Sequence, residues 1–214
     1  MKTTLLTLLL SAGCLCAQTP TPKPEPIPTN RNSTLEHTTL EYTTPGDIIR
    51  NAHRGLLVPG TLYYAPARTQ EGEPKLEPVI GEDAGKKFIE IQGRATGNII
   101  QTTKTVLLRC SKIPDNAPKS INVSFDARLN KTELTGWEVT KKPKKGNAEP
   151  EWNAKLYFGT TDKLGAHTYV EIPANKGWTN KSINLDIPDG AKFLYLELAA
   201  IKGEKLAFAN WTIN

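Results

Sequence analysis

Residues 121–128 read Ile-Asn-Val-Ser-Phe-Asp-Ala-Arg, with an apolar side chain at every second position. Because successive side chains of a strand point to opposite faces of a sheet, this spacing predicts a β-strand with one buried and one wet face. Similar alternation or short apolar runs mark further strand candidates, at 88–91, 99–108, 155–158, 183–187, 194–200 and 205–213. Turn residues such as those at 188–190 separate them. The pattern predicts an all-β fold, an antiparallel two-sheet β-sandwich.

The composition agrees with a strand-rich domain. The 214 residues include 16 Gly and 16 Pro, which interrupt helices at a cost of ~1 to 3 kcal/mol each, so we predict only one short helix near 46–53. Hydrophobic residues make up 38% and charged residues 23% of the chain, and the mean hydropathy is −0.42. These values exclude a multi-span membrane protein and a fully disordered chain. The formal net charge of +5 is too mild to indicate nucleic-acid binding.

The first 17 residues predict a secretion signal peptide. Lys2 supplies a positive start, residues 5–10 form a short apolar core, and cleavage is expected after Ala17. The apolar core is far shorter than the ~20 residues of a spanning helix, so no integral membrane span is expected. Residues 11–14 read Ser-Ala-Gly-Cys, which leaves open a lipid anchor at Cys14. The mature protein is expected to be secreted, periplasmic or at the cell surface.

Residues 18–44 predict a linker before the folded domain at 45–214. Proline occupies every second position of 19–28, which prevents helix formation and favours extended polyproline II. The Thr-rich remainder of the segment either continues the linker or forms a loosely attached first strand. Once the signal peptide is removed, Cys110 is the only cysteine, so no internal disulfide can form. Cys110 follows an apolar run and is predicted to be a small buried hydrophobe rather than a nucleophile.

The C-terminal half carries a family resemblance. Residues 177–191 read Gly-Trp-Thr-Asn-Lys-Ser-Ile-Asn-Leu-Asp-Ile-Pro-Asp-Gly-Ala, and Phe-Leu-Tyr-Leu-Glu-Leu and Leu-Ala-Phe-Ala-Asn-Trp-Thr-Ile follow at 193–198 and 206–213. Together with 93–101 and 121–128, these runs resemble the strands of jelly-roll carbohydrate-binding modules of the family 4/9 type, a galactose-binding-like β-sandwich. The resemblance covers residues 85–214. It implies a jelly-roll fold and carbohydrate as the ligand.

Two departures from the family's pattern concern a structural calcium ion. The family's last strand typically carries two acids, and here Asn210 and Trp211 stand in their place. The family's opening, an Asn-rich turn followed by Phe-Glu and a Trp, is not evident in residues 45–80. Because those features commonly frame the calcium, the sequence predicts no cofactor, with calcium left open. Trp178 stands where the resembling modules carry a mostly structural tryptophan, so we expect it in the core.

Four side chains are candidates for contact with a sugar. Trp137 and Trp152 flank the basic segment 141–147, and exposed loop tryptophans can stack on the apolar face of a pyranose. The alternative is that each tryptophan fills the sandwich core. Tyr64 follows another tyrosine, so in a strand at least one of the two rings is a candidate for exposure. Lys144, within the basic segment, either meets an anionic glycan or belongs to a solvated loop.

Catalysis is not expected. The sequence contains only three histidines and no HExxH, GxSxG, Walker or GxGxxG motif. We therefore predict an exported, non-catalytic binding module whose ligand is a glycan at or outside the cell surface. The alternative is a structural or adhesion subunit of a cell-surface assembly that binds protein and no sugar, since sandwiches host both roles. The expected partner is thus a glycan or a cell-surface protein, and not nucleic acid.

Overall fold

The computed structural model describes residues 39–68, 75–95, 104–131, 152–160, 163–174 and 176–214. This part of the chain forms strands and one short helix, in the order β1 Leu40–Tyr42, α1 Pro45–His53, β2 Leu62–Ala65, β3 Val79–Asp83, β4 Lys86–Gln92, β5 Thr105–Lys112, β6 Ser120–Asn130, β7 Ala154–Gly159, β8 Leu164–Val170, β9 Thr179–Asp186, β10 Phe193–Ala200 and β11 Lys205–Ile213. The predicted all-β class and the predicted short helix are both confirmed. Among the residues described, no helix has the length and apolar character needed to cross a bilayer.

The strands form two sheets. Sheet A has the order β1-β2-β5-β10-β7-β8, and sheet B has the order β3-β4-β11-β6-β9. All neighbouring strands pair antiparallel except β1 and β2, which run parallel. Strands adjacent in a sheet are mostly distant in sequence, as in β6, which lies between β9 and β11. The architecture is therefore the two-sheet sandwich that the alternating pattern predicts.

The main core lies between the sheets. In β6 the alternate residues Ile121, Val123, Phe125, Ala127 and Leu129 are all buried there, as the alternation of segment 121–128 predicts. The facing strand β10 contributes its own alternate residues, the leucines at 194, 196 and 198. Burying such side chains stabilises the fold by roughly 1.5 to 3 kcal/mol each. The opposite residues of each strand point to the two outer faces, where the polar and aromatic side chains gather.

A β-bulge in β11 changes the face on which its last residues lie. The pairing of β11 with β6 shifts register between Ala209 and Thr212. Asn210 sits at the shift with φ of 52°, a left-handed conformation that asparagine tolerates better than most residues. As a result Trp211 points into the core, where its ring lies 6.3 Å from the ring of Phe125. The side chain of Asn210 remains on the outer face of sheet B.

The N-terminal part of the described chain covers one half of the outer face of sheet A. Thr44 caps α1 through its hydroxyl, which accepts a hydrogen bond from the Asp47 amide. The helix buries Ile48 and Ala52 against this face. Residues 40–42, within the segment assigned to the linker, form β1 beside β2. The alternative interpretation, a first strand, therefore holds for these three residues.

Candidate functional site

The outer face of sheet A has two unlike halves. Beneath α1 the face is apolar, with Tyr63, Leu108 and Cys110 packed in one buried cluster. Burial raises the pKa of the Cys110 thiol to about 12, so this cysteine is an inert core residue, as its apolar neighbours in sequence predict. Toward β7 and β8 the face instead carries aromatic and charged side chains. This second half is the strongest candidate for a binding surface among the residues described.

A row of aromatic rings follows the β7 and β8 half of the face. Cross-strand pairing places Lys155 opposite Tyr169 and Tyr157 opposite His167. The ring centroids are 6.4 Å apart for Trp152 and Tyr169, 6.3 Å for Tyr169 and His167, and 4.8 Å for His167 and Tyr157. Tyr169 is 45% exposed and His167 is also exposed. The row therefore offers aromatic surface to solvent along β8, an edge strand of sheet A.

A cavity of about 450 Å³ opens at the Trp152 end of this row. Its lining combines the two rings with amide, charged and apolar groups, from Lys131, Trp152, Asn153, Tyr169, Val170, Glu171, Ile172, Pro173 and Ala174. The volume lies in the range of small-ligand sites, and the lining is more polar than apolar. We call this feature the Trp152 cavity.

A buried ion pair lies beside the cavity. Lys155 Nζ is 3.0 Å from Glu197 Oε2, and their side chains are only 6% and 3% exposed. Lys104 Nζ lies 3.8 Å from the other Glu197 oxygen. The Tyr157 hydroxyl donates a hydrogen bond to Glu197 Oε2 at 3.2 Å. Burial, reinforced by the Glu197 charge, raises the pKa of Tyr157 well above its ordinary value, so its hydroxyl keeps the proton that it donates.

The two lysines also lie over the ring of Trp152. Their ammonium nitrogens are 3.8 Å (Lys104) and 4.3 Å (Lys155) from the ring centroid. Such cation–π contacts stabilise by ~0.5 to 2 kcal/mol, depending on how far the cation is removed from water. The indole is thereby held against sheet A by charged groups as well as by packing.

A second buried acid fixes the neighbouring rim of the cavity. Glu204 accepts a hydrogen bond from the Asn153 side-chain amide at 2.8 Å and another from the Ile201 backbone amide at 3.1 Å. Lys131 Nζ lies 3.1 Å from the other oxygen of Glu204. Asn153 also donates to the Ala199 carbonyl, at 3.0 Å. The residue that follows Trp152 is therefore tied to both β10 and the turn after it.

The structure places the four candidates from sequence differently. Trp152 lines the cavity but is only 8% exposed, so the expectation of an exposed loop ring is wrong. The expectation that Tyr63 or Tyr64 is exposed is also wrong, because Tyr63 packs under α1 and Tyr64 lies between the sheets. The Tyr64 hydroxyl donates to the Leu76 carbonyl inside the protein. Trp137 and Lys144 lie outside the described residues.

Sequence reasoning missed four residues of this region: Lys155, His167, Tyr169 and Glu197. His167 and Tyr169 stand two apart, a spacing that puts both rings on one face of a strand. Glu197 interrupts an otherwise apolar strand, and a lone acid in such a run indicates a buried carboxylate with a partner. Its partner Lys155 lies 42 positions earlier in the chain, and only the pairing of β7 with β10 brings the two together.

The outer face of sheet B carries a different polar network. Asp126 is buried and accepts hydrogen bonds from Lys86 at 2.7 Å, Asn180 at 2.9 Å and Asn210 at 2.7 Å. The resembling modules carry an acid at the position of Asn210. Here the Asn210 amide donates to Asp126, which also binds the Lys86 ammonium group. Calcium prefers six to eight oxygen ligands. Among the described residues, no three His, Cys, Asp or Glu side chains are grouped to hold a metal ion.

Trp178 also lies on sheet B, half-buried against Phe88, with ring centroids 5.8 Å apart. Its indole N–H donates to Asp83 Oδ2 at 2.9 Å, and Arg128 binds the same carboxylate oxygen. The expectation that Trp178 lies in the core is wrong, because the tryptophan packs against a small cluster on the outer face of sheet B rather than between the sheets.

No protein-family model matches the chain, and no curated protein matches it. Solved structures resemble it at low identity. A protein from Bacteroides thetaiotaomicron assigned to sugar binding is 14% identical, with 85% of this chain and 96% of that chain covered and a TM-score of 0.46. A family 4 carbohydrate-binding module is 12% identical, with 72% and 85% covered and a TM-score of 0.38.

The enzymatically active domain of tailspike protein 4 from bacteriophage CBA120 is 10% identical, with a TM-score of 0.46. The match covers 72% of this chain but only 19% of the tailspike chain. The other neighbours are mostly carbohydrate-binding modules of several families, and none of those families is singled out. At these identities the likeness concerns the fold and does not say what this chain binds.

Proposed function

We propose that the mature chain is an exported, non-catalytic domain that binds carbohydrate through Tyr169 and the Trp152 cavity. One observation carries the proposal: an exposed tyrosine ring borders a cavity with both apolar and hydrogen-bonding walls. A pyranose presents an apolar face that packs on an aromatic ring, and its hydroxyls need polar partners at the rim. Lys131 and Glu171 line the same cavity and supply such groups, and the Asn153 amide, whose N–H groups bind Glu204 and the Ala199 carbonyl, adds its oxygen as an acceptor.

Tyr169 is the side chain proposed to stack on the sugar, and Trp152 the fixed wall beside it. Two ammonium groups lie over the Trp152 ring and the residue is only 8% exposed, so the indole offers little of its surface to a ligand. Tyr169 stands on the outermost strand of sheet A and presents nearly half of its surface to solvent. The proposal therefore moves the stacking role from Trp152, the sequence candidate, to Tyr169.

Export and tethering belong to the same proposal. The segment 1–17 is proposed to direct secretion to the periplasm, cell surface or medium, with a lipid on Cys14 as the anchored alternative. The Pro-rich segment that follows is proposed to act as the spacer. Neither a cofactor nor a catalytic step is part of the proposal.

The test uses the mature chain, residues 18–214, in affinity electrophoresis through gels that contain xylan, galactan, mannan, mixed-linkage glucan, polygalacturonate or mucin. We expect at least one polysaccharide to retard wild type. Tyr169→Ala should weaken that retardation about tenfold, the loss of an aromatic contact of ~1 to 2 kcal/mol, with Tm unchanged. Tyr42→Ala is the matched control, because Tyr42 is an exposed tyrosine on β1, the opposite edge of sheet A.

Two results would overturn the proposal. One is the absence of retardation by every polysaccharide, together with a blank glycan array. The other is retardation that Tyr169→Ala and Tyr42→Ala leave equally intact, because the ligand would then bind elsewhere.

A protein-binding role is the second candidate, and one observation favours it. Ile49 of α1 and the nearby Leu56 and Val58 are all exposed large apolar residues. Contiguous exposed apolar patches are typical of protein interfaces, and these three residues, all within 49–58, are candidates for such a patch. For this role we expect a defined partner from the source cell's surface fraction to be captured by wild type and lost with Leu56→Asp, while Tyr169→Ala captures it normally.

A further inference from the structure

The ion pair of Lys155 and Glu197 occupies an unusual place. The two residues lie directly opposite each other on β7 and β10, on the outer face of sheet A. Outer faces of a sandwich are normally where charged side chains reach water. Both side chains are nevertheless almost completely buried, and their charged atoms are 3.0 Å apart.

The pair contacts the two rings that lead to the Trp152 cavity. The Lys155 ammonium lies 4.3 Å from the ring centroid of Trp152 and 5.6 Å from that of Tyr157. Glu197 accepts the Tyr157 hydrogen bond through the same oxygen that faces Lys155. The ion pair therefore contacts the Trp152 indole through Lys155 and the Tyr157 hydroxyl through Glu197.

Stability alone does not explain such a pair. Removing two charges from water costs several kcal/mol per ion, and apolar pairs of similar volume are often as stable or more stable. A charged pair also fixes the orientation of the side chains that it contacts, because ammonium, carboxylate and hydroxyl groups form hydrogen bonds only in particular geometries. The groups whose orientation the pair fixes are the Trp152 ring, which lines the cavity, and the Tyr157 ring at the other end of the aromatic row.

We infer that Lys155 and Glu197 are positioning residues that hold the Trp152 ring in the orientation the ligand requires. The inference rests on the proposed carbohydrate-binding function. The pair is too deeply buried to touch a ligand, so it acts through the indole. Tyr157 belongs to the same arrangement and keeps Glu197 turned toward Lys155.

The test replaces the whole pair rather than one member. Glu197→Leu alone would leave the buried Lys155 ammonium without its partner and destabilise the fold for that reason. The double variant Lys155→Met/Glu197→Leu keeps the volume and removes both charges. We expect it to fold, with a Tm lowered only by the loss of the Tyr157 hydrogen bond and of the Lys104 contact with Glu197. We expect its affinity for the polysaccharide that best retards wild type, among the six above, to fall about tenfold.

A second measurement needs no ligand. In an amide NMR spectrum of the labelled protein, the indole N–H signal of Trp152 is identified by its loss in Trp152→Phe. We expect this signal to shift or broaden in the double variant, while the indole signals of Trp178 and Trp211 stay in place. The exposed pair Lys192 and Asp115, 3.1 Å apart, provides the matched control. Lys192→Met/Asp115→Asn should change neither the affinity nor the Trp152 signal.

Wild-type affinity together with an unmoved Trp152 signal in the double variant overturns the inference. If wild type binds none of the polysaccharides, the proposed function fails, and the NMR signal alone then decides whether the pair positions the ring. Should the double variant not fold, Tyr157→Phe takes its place, since it removes one hydroxyl only. It should shift the Trp152 signal and weaken binding, and no change in either overturns the inference.

Discussion

The outer faces of the two sheets each carry a tryptophan with cations over its ring and a buried carboxylate nearby, but the two tryptophans have different neighbours. On sheet A, two lysine ammoniums lie 3.8 and 4.3 Å from the ring centroid of Trp152. On sheet B, an arginine and a lysine lie 4.9 and 5.6 Å from the ring centroid of Trp178. Each face also carries a buried carboxylate that binds these cations: Glu197 on sheet A contacts both lysines, and Asp126 on sheet B contacts Lys86.

The difference lies in what adjoins the tryptophan. Trp178 packs on Phe88, and its indole N–H donates to Asp83. Trp152 instead borders a cavity and the exposed ring of Tyr169. A tryptophan with cations over its ring is therefore no mark of a binding site by itself. The neighbouring cavity and exposed aromatic surface distinguish sheet A, and substitutions on the two faces should separate stability from binding.

Asp126→Ala should have the largest effect on stability. The substitution removes the acceptor of three hydrogen bonds, from Lys86, Asn180 and Asn210. The loss is expected to lower the free energy of unfolding by about 3 kcal/mol, because three part-buried hydrogen bonds to one carboxylate are lost together and one of them comes from an ammonium group. Urea denaturation measures it. Polysaccharide binding by the folded variant should match that of wild type, and a parallel loss of binding would contradict the separation of the two faces.

Trp152→Ala should come next and should affect both properties. Its ring is almost fully buried and carries two cation–π contacts, but it lies outside the core between the sheets. We therefore expect a loss of about 2 kcal/mol in the free energy of unfolding, below the ~3 to 5 kcal/mol of a core tryptophan. The same substitution removes a wall of the cavity and should weaken polysaccharide binding at least tenfold. Trp152→Phe is the control that keeps an aromatic wall. An unchanged Tm would show that the ring is not held as described.

The fold could largely be predicted from sequence because alternation is a local property. Segment 121–128 buries every second residue whichever strand it pairs with, and β6 does so. The strands predicted at 194–200 and 205–213 correspond to β10 and β11. β2, β3 and β8 are missing from the predicted strands. β3 and β8 are edge strands whose side chains are mostly exposed, so their sequences lack the alternation. β2 has four residues, all buried, and therefore shows no alternation either.

The candidate site was harder to predict because its contacts are long-range. Trp152 was expected to be exposed since no alternating run includes it, yet Lys104, 48 positions earlier, reaches over its ring. The burial of Tyr64 depends on the packing of sheet B against β2. A turn-rich neighbourhood indicates that a residue lies outside a strand. It does not reveal which distant side chains will cover that residue.

Cys110→Ala tests the covered half of sheet A and should have a smaller effect. The thiol lies beneath the turn after α1, 3.8 Å from the Leu57 carbonyl, and is fully buried. Removing it leaves a small cavity that should cost about 1 kcal/mol. Binding at the β7 and β8 half should not change. In wild type, burial raises the pKa of the thiol to about 12, so iodoacetamide at pH 8 should label it only after unfolding. Rapid labelling of the native protein would show that α1 opens.

Acid should produce the smallest effect, and it should appear on sheet B. Burial opposes ionisation of Asp126, but hydrogen bonds from Lys86, Asn180 and Asn210 outweigh it and lower the pKa below the ordinary value of 3.8. Because the folded-state pKa is depressed, the ionised carboxylate contributes stability above the unfolded-state pKa, and that contribution is lost as the pH falls through the folded-state value. Asp126→Asn keeps the shape without the charge. Its deficit in the free energy of unfolding relative to wild type, measured with urea, should therefore be larger at pH 7 than at pH 3. A deficit equal at both pH values would mean that the three donors contribute through packing and geometry alone, and that the charge of Asp126 does not stabilise this face.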